Sequence, residues 1–194
     1  PEWFLAISPL KKVPLLIVGD MVIFESAVIN EYIDEAYPPK LHPEDLLIKA
    51  INRSWIEFCN NISLYTFQLS IKESEGEFKD TLELMLNDFD LVENCLEDSP
   101  FFNGKQFSLV DSSYAPVFQR LYFLEQIYKP IITSKRHPKL VIWKDNLLSL
   151  EAVKHSAVED IQSLYYKLLW TRQGHISQYL SEEDYGKRPP KSTY

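Results

Sequence analysis

Few side chains in this sequence have types suited to chemistry, and they are scattered. Cys59 and Cys95 are the two thiols, and neither has a basic neighbour arranged to lower its pKa. Cys59 lies with Phe58 and Ile62 on an apolar helical stretch and Cys95 borders Val92 and Leu96, so both read as buried structural thiols. His42, His137, His155 and His175 stand far apart with no ligand spacing, so no metal is expected. No glycine-rich phosphate loop occurs, and Gly19-Asp20 reads as a turn. Ser26, directly after Glu25, opens a stretch of helical period. Free N–H groups and the positive end of a helix dipole favour a carboxylate at such a place. The same serine also serves as a plain helix cap, and these residues alone leave both readings open. Ser108-Leu109-Val110-Asp111 is a capping box with Asp in place of Glu. It starts a helix and carries no further functional signal. A hydrophobic staple is missing there, because Phe107 would have to meet Ser112.

The elements that must position these residues fall into two kinds. Pro14 to Val18 and Met21 to Phe24 are apolar, β-rich runs around the Gly-Asp turn, and they predict a hairpin. Val28, Ile29, Tyr32, Ile33 and Ala36 then step at helical spacing up to Pro38-Pro39. Residues 37–43 hold three prolines and form the best linker candidate. Beyond them every long segment has helical period. Leu47, Ile51, Trp55, Phe58, Ile62, Tyr65 and Leu69 mark the first helix, and Leu82, Met85, Phe89, Val92 and Leu96 the second. Val110 to Leu124, Leu140 to Leu150 and Ile161 to Leu169 give three more. Five helices with short connections describe an all-α domain that can bury its own core. The expected organisation is a first part over 1–38, a helical domain over 43–180 and a mobile tail over 181–194.

Composition narrows the partners. The 194 residues carry 20 Lys+Arg against 28 Asp+Glu, a formal charge of −8. An acidic chain without a basic block argues against nucleic acid and anionic membrane. The longest uncharged stretch, 58–71, has 14 residues and six polar side chains, too short and too polar to span a bilayer. Two thiols make no disulfide scaffold, so a reducing cytoplasm is expected.

Specific residues then carry a resemblance. Pro1-Glu2-Trp3-Phe4, Ser8-Pro9, Lys12-Val13-Pro14, Phe24-Glu25-Ser26 and Ile29 to Glu35 resemble the cytosolic glutathione transferases, most closely the omega-like group. Asn103-Gly104, Phe107 to Asp111 and Ala115-Pro116 resemble the helix-capping segment of the same family. The resemblance implies an α+β fold: the β-β-α remnant of a thioredoxin-like domain, followed by the family's all-α C-terminal domain. It implies that the Val13–Pro14 bond is cis and that Val13 pairs with the cysteinyl main chain of glutathione. Ser26 and its N–H would take the γ-glutamyl carboxylate, and Glu25 the α-amine. Glutathione is then the co-substrate, a small apolar or thiol compound the second substrate, and a homodimer the assembly. That dimer would join the hairpin–helix region to the long helices at 45–95. One or two of Trp55, Phe58, Tyr65, Tyr122 and Trp170 would line the second-substrate site, and the others would make core.

The family's catalytic Cys, Ser or Tyr lies in a β-α-β unit that this sequence does not contain. A nucleophile is therefore expected upstream of Pro1, and Pro1 is read as following a missing segment. A remnant hairpin of this kind would expose an apolar strand edge at Leu15 to Val18. Two functions fit the fold. One is an enzyme that transfers glutathione to an electrophile or reduces a mixed disulfide or dehydroascorbate. The other is a non-catalytic interaction protein resembling stringent starvation protein A. The pairs Val13-Pro14 and Glu25-Ser26 favour the enzyme.

Overall fold

A short helix, α1 (Glu2–Ile7), leads into an antiparallel hairpin of β1 (Leu15–Val18) and β2 (Met21–Phe24) in the computed structural model, which describes residues 1–185. The register runs from Leu15↔Phe24 to Val18↔Met21. Gly19 closes it at φ +58, a conformation that costs glycine nothing. Of the apolar edge expected at Leu15 to Val18, Ile17 and Val18 are exposed and Leu15 and Leu16 half-buried, and Met21 is exposed on the other strand. Helix α2 (Ser26–Ala36) follows at once.

The proline-rich stretch is pinned rather than loose. Asp34, buried on α2, accepts the N–H groups of Leu41 and His42. Glu31, one turn earlier, takes Arg53 of the next helix in a two-pronged pair at 2.8 and 2.6 Å. That bond is the main reason the Glu31 carboxyl is held below the usual carboxylate range. The sequence suggests a solvated acidic face at Glu31, Asp34 and Glu35. Only Glu35 matches that description, because the other two tie α2 to the strap and to the helical part. His42 is buried beside them, its Nε2 3.8 Å from Glu31, and burial lowers its pKa against the pull of both carboxylates.

Five long helices stand where the apolar periods place them: α3 (Leu46–Leu69), α4 (Glu75–Cys95), α5 (Leu109–Ile127), α6 (Pro138–Ser149) and α8 (Ile161–Arg172). Asp45 caps α3 through the N–H groups of Leu47 and Ile48, and Ser74 caps α4 through Glu77 N–H. Helices α7 (Glu151–Lys154) and α9 (Glu182–Tyr185) and the 3-10 turn at His175–Tyr179 are too short to leave a period. The expected tail thus begins with structure, since Asp184 takes the N–H and hydroxyl of Ser181 at 2.6 and 2.7 Å. Residues 186–194 lie outside the described residues. Among the described residues no helix is long and apolar enough to cross a membrane.

The core fills the space between α3, α4, α5 and α6. Trp143 of α6 is its centre, with the rings of Tyr114 and Phe118 at 4.9 and 5.0 Å. Three carboxylates hold α6 in place. Glu93 takes the first free N–H groups of that helix, Lys139 at 3.0 Å and Leu140 at 2.8 Å, and so supplies the cap that His137 does not. Glu125 accepts Ile131 and Ile132 N–H and pairs with Lys144 at 2.8 Å. Asp111 receives four hydrogen bonds. Phe102 N–H (2.9 Å) and Trp143 Nε1–H (2.6 Å) reach one oxygen, and Ser108 N–H (2.7 Å) and hydroxyl (2.6 Å) reach the other. The capping box is present, and its carboxylate also secures the core tryptophan. Phe107 makes no staple with Ser112 but meets Phe101 edge-on at 6.0 Å.

One apolar stripe is rotated from its expected face. Leu47 and Ile51 are 71% and 47% exposed, whereas their neighbours Asn52 and Ile56 are buried. Helix α3 turns a different face to the core at its start than at its end.

Candidate functional site

The loop before the hairpin is shaped by Ser8. Its buried hydroxyl accepts Lys12 N–H at 3.1 Å and donates to Lys12 C=O at 3.2 Å, closing a turn in which Lys11 takes φ +55. The chain leaves that turn through Val13–Pro14, a cis peptide bond, and enters β1. Strand β2 returns to the same end of the hairpin, because Leu15 pairs with Phe24. Glu25 therefore follows beside Pro14.

Glu25 adopts φ +69 and ψ +119, a region that side-chain-bearing residues rarely occupy. Strain of this kind collects where surrounding structure imposes it, often at binding sites. It is the N-cap position of α2, and its side chain makes no cap bond. Ser26 is the first helical residue rather than the cap, which differs from the plain-cap reading of the sequence. The N-terminus of α2 is thus open, with N–H groups and the positive dipole end facing outward. Val13, Pro14, Glu25 and Ser26 are all exposed, and together with Ser8 and Lys12 they line one recess of about 120 Å³. The four residues singled out from the sequence are brought together.

A larger cavity of about 910 Å³ opens between α3, α5 and α8. Asn30, one turn after Ser26 on α2, lines it, so a single helix joins the recess to the cavity. The walls are mainly apolar: Phe67 of α3, Ala115 and Phe123 of α5, Leu164 and Leu168 of α8, and Phe107 from the loop before α5. None of the five aromatics named from the sequence lines this cavity. Tyr122 is exposed and borders a smaller groove beside α6, while Trp55, Phe58, Tyr65 and Trp170 are half-buried. The period of α8 counts its apolar residues as core, yet Leu164 and Leu168 face this space and Leu169 alone of that set is fully buried. Periodicity identifies an apolar face but not whether protein or a cavity lies against it.

The thiols take no part. Cys59 is buried and donates to Ser113 C=O, and burial pushes its pKa up to about 12. Cys95 corrects the sequence reading, because it is exposed on α4. Its surroundings still push the thiol up to about 11, and it donates to Val92 C=O. Neither lines either space. Among the described residues no three His, Cys, Asp or Glu side chains gather as a metal-ligand set.

Two family models match. The one described as glutathione S-transferase, N-terminal domain, covers residues 1–35, and the one described as glutathione S-transferase, C-terminal domain, covers residues 75–143. A probable glutathione S-transferase of Glycine max is 32% identical over 151 residues, which span 72% of this chain and 63% of that protein. Glutathione S-transferase omega-1 of Rattus norvegicus is 32% identical over 175 residues, spanning 85% of this chain and 70% of that protein. A rice glutathione S-transferase solved in complex with glutathione shares the fold with a TM-score of 0.73 at 23% identity, covering 87% of this chain and 80% of that one. The chain spans 63–66% of the length of the first curated relatives it matches.

Proposed function

Since the chain belongs to the glutathione S-transferase family, we propose that its Val13–Pro14 and Glu25–Ser26 recess holds glutathione and that the protein transfers it to an electrophile or uses it to reduce a mixed disulfide or dehydroascorbate. The observation that supports this most is the convergence of four exposed residues at the open N-terminus of α2. Ser26 and the first N–H groups of the helix bind the γ-glutamyl carboxylate. The Glu25 carboxylate binds the adjacent ammonium, and the main chain of Val13 pairs with the cysteinyl unit. The sulfur then faces away from the hairpin, and a small apolar or thiol co-substrate occupies the larger cavity that Asn30 borders. No side chain is assigned to activating the thiol, because neither cysteine reaches either space. The protein acts in the cytoplasm.

Calorimetric titration tests the reading by comparing glutathione with cysteinylglycine, which lacks the γ-glutamyl unit. Glutathione is expected to saturate the chain, and cysteinylglycine to bind at least 10-fold more weakly. Losing one charge-assisted contact costs about 1.5–3 kcal/mol, and this unit makes two. Equal affinities, or no binding by either compound, would refute the assignment.

The proposal includes a homodimer through the start of α3 and the hairpin region. Leu46, Leu47, Ile48 and Ile51 form an apolar patch on the first turns of α3, with Leu46 81% exposed. Burying a leucine is worth about 1.5–3 kcal/mol, so Leu47→Glu should weaken association at least 10-fold. Light scattering should report twice the chain mass for the wild type and the single mass for the variant at the same concentration. A wild type that is monomeric at high concentration removes the dimer.

A further inference from the structure

Among the described residues the walls of the large cavity carry charge of one sign only. The chain has 28 carboxylates and a net charge of −8, yet no described Asp or Glu borders this space, while Arg120 and Arg172 do. Among the described residues neither arginine forms an ion pair, in contrast to Arg53 and Arg136, which are paired with carboxylates. Arg120 gives one N–H to Pro116 C=O, one turn back on α5. Arg172 gives one to the Ser70 hydroxyl and lies over the ring of Phe67 at 4.7 Å. A guanidinium has five donors, so among the described residues both keep most of theirs without a protein partner. Tyr165 lines the same cavity, and among the described residues its buried hydroxyl has no hydrogen-bond partner. Both guanidinium charges reach that hydroxyl and draw its pKa down, but burial outweighs them and pushes it up to about 12. The hydroxyl is therefore a neutral donor at pH 7.

We propose that Arg120, Arg172 and Tyr165 form an anion subsite in the α3–α5–α8 cavity and that it selects ligands with a carboxylate on an aromatic body. The chemistry of the donors determines this choice. A carboxylate has two oxygens in the plane that the arginine fork offers, and the spare tyrosine O–H completes the shell. An aromatic body suits the rest of the cavity. Phe67, already stacked with Arg172, and Phe107, Phe123, Leu164 and Leu168 provide flat apolar walls. A volume of about 910 Å³ accommodates a ligand of drug size. Among small, largely apolar co-substrates the cavity therefore favours those that carry a carboxylate, because one without it would strip water from the two guanidinium groups and the phenol without replacing its hydrogen bonds.

Titration of the chain with 2-naphthoate and with 2-naphthamide, without glutathione, measures the anion contribution directly. The two compounds share a ring system and differ in charge. Naphthoate is expected to bind at least 10-fold more tightly. Arg172→Gln and Arg120→Gln should each lower naphthoate affinity about 5- to 10-fold and leave naphthamide affinity unchanged, and Tyr165→Phe should lower it about 3-fold. Arg172→Lys keeps the charge without the fork and should recover only part of the loss. Melting curves of every variant identify any that is unfolded, and Tyr165→Phe, which removes only the hydroxyl, keeps the test decisive if an arginine variant is lost. Equal affinities of the two compounds for the wild type, or variants that weaken both alike, overturn the subsite. Because glutathione is absent from the titration, that outcome leaves the reading of the Glu25–Ser26 recess standing.

Discussion

Asp111→Ala is expected to remove about 3–5 kcal/mol of stability, because it leaves several buried donors without their acceptor. Four donors meet this fully buried carboxylate: Phe102 N–H, Trp143 Nε1–H, and the N–H and hydroxyl of Ser108. Each donor left unsatisfied costs about 1–3 kcal/mol, and partial relaxation keeps the total below their sum. For a chain of this size each kcal/mol shifts the melting temperature by about 2–4 °C, so a fall of roughly 6–20 °C is expected. Asp111→Asn keeps the shape but points an amide N–H₂ at groups that are themselves donors, and it should lose at least half as much. Urea denaturation followed by circular dichroism reads both. A cycle with Trp143→Phe should show a coupling of about 1–3 kcal/mol, because the indole N–H and the carboxylate serve each other. A loss under 1 kcal/mol for the alanine variant would show that the capping network is incidental.

Asp111 also shows how much of the fold is legible in the sequence. Its spacing from Ser108 marks a capping box, and that local signal is sound. Its bonds to Phe102 and Trp143 join segments 9 and 32 residues away, and no local rule reaches across that separation. The same limit applies to Glu93, which caps a helix 46 residues later. The five long helices are legible because each has enough turns to show a period. The rotated start of α3 is not, since Leu47 and Ile51 keep the spacing of a core stripe while facing outward. The recess residues are legible through the resemblance that Val13-Pro14 and Glu25-Ser26 carry, and the hairpin register that sets Glu25 beside Pro14 is seen in the fold. Arg120 and Arg172 are not, because an arginine on a helix surface reads as solvated until a cavity is seen beside it.

Ser26→Ala is expected to weaken glutathione about 10- to 100-fold while leaving stability nearly unchanged. The hydroxyl would bond a carboxylate, a contact worth about 1.5–3 kcal/mol when its loss leaves the anion short of a donor. The fold does not depend on it. Glu25 holds the cap position and no side-chain cap bond exists at this end of α2, so alanine removes none and is itself a good helix former. A stability change within about 0.5 kcal/mol follows. Glu25 sharpens the contrast because its two effects should have opposite signs. At φ +69 a residue with a side chain carries a conformational cost that glycine escapes. Glu25→Gly should therefore match or exceed the wild type in melting temperature and still lose the carboxylate that holds the γ-glutamyl ammonium, with affinity falling 10-fold or more. Strain kept at a position where its removal stabilises the chain indicates that the side chain serves a ligand. Calorimetry with glutathione and a melting curve for each protein measure both quantities side by side. If Ser26→Ala keeps its affinity and loses stability, the serine is only part of the helix start. If Glu25→Gly also keeps its affinity, the recess is not where glutathione binds, and the non-catalytic interaction protein becomes the better account of this chain.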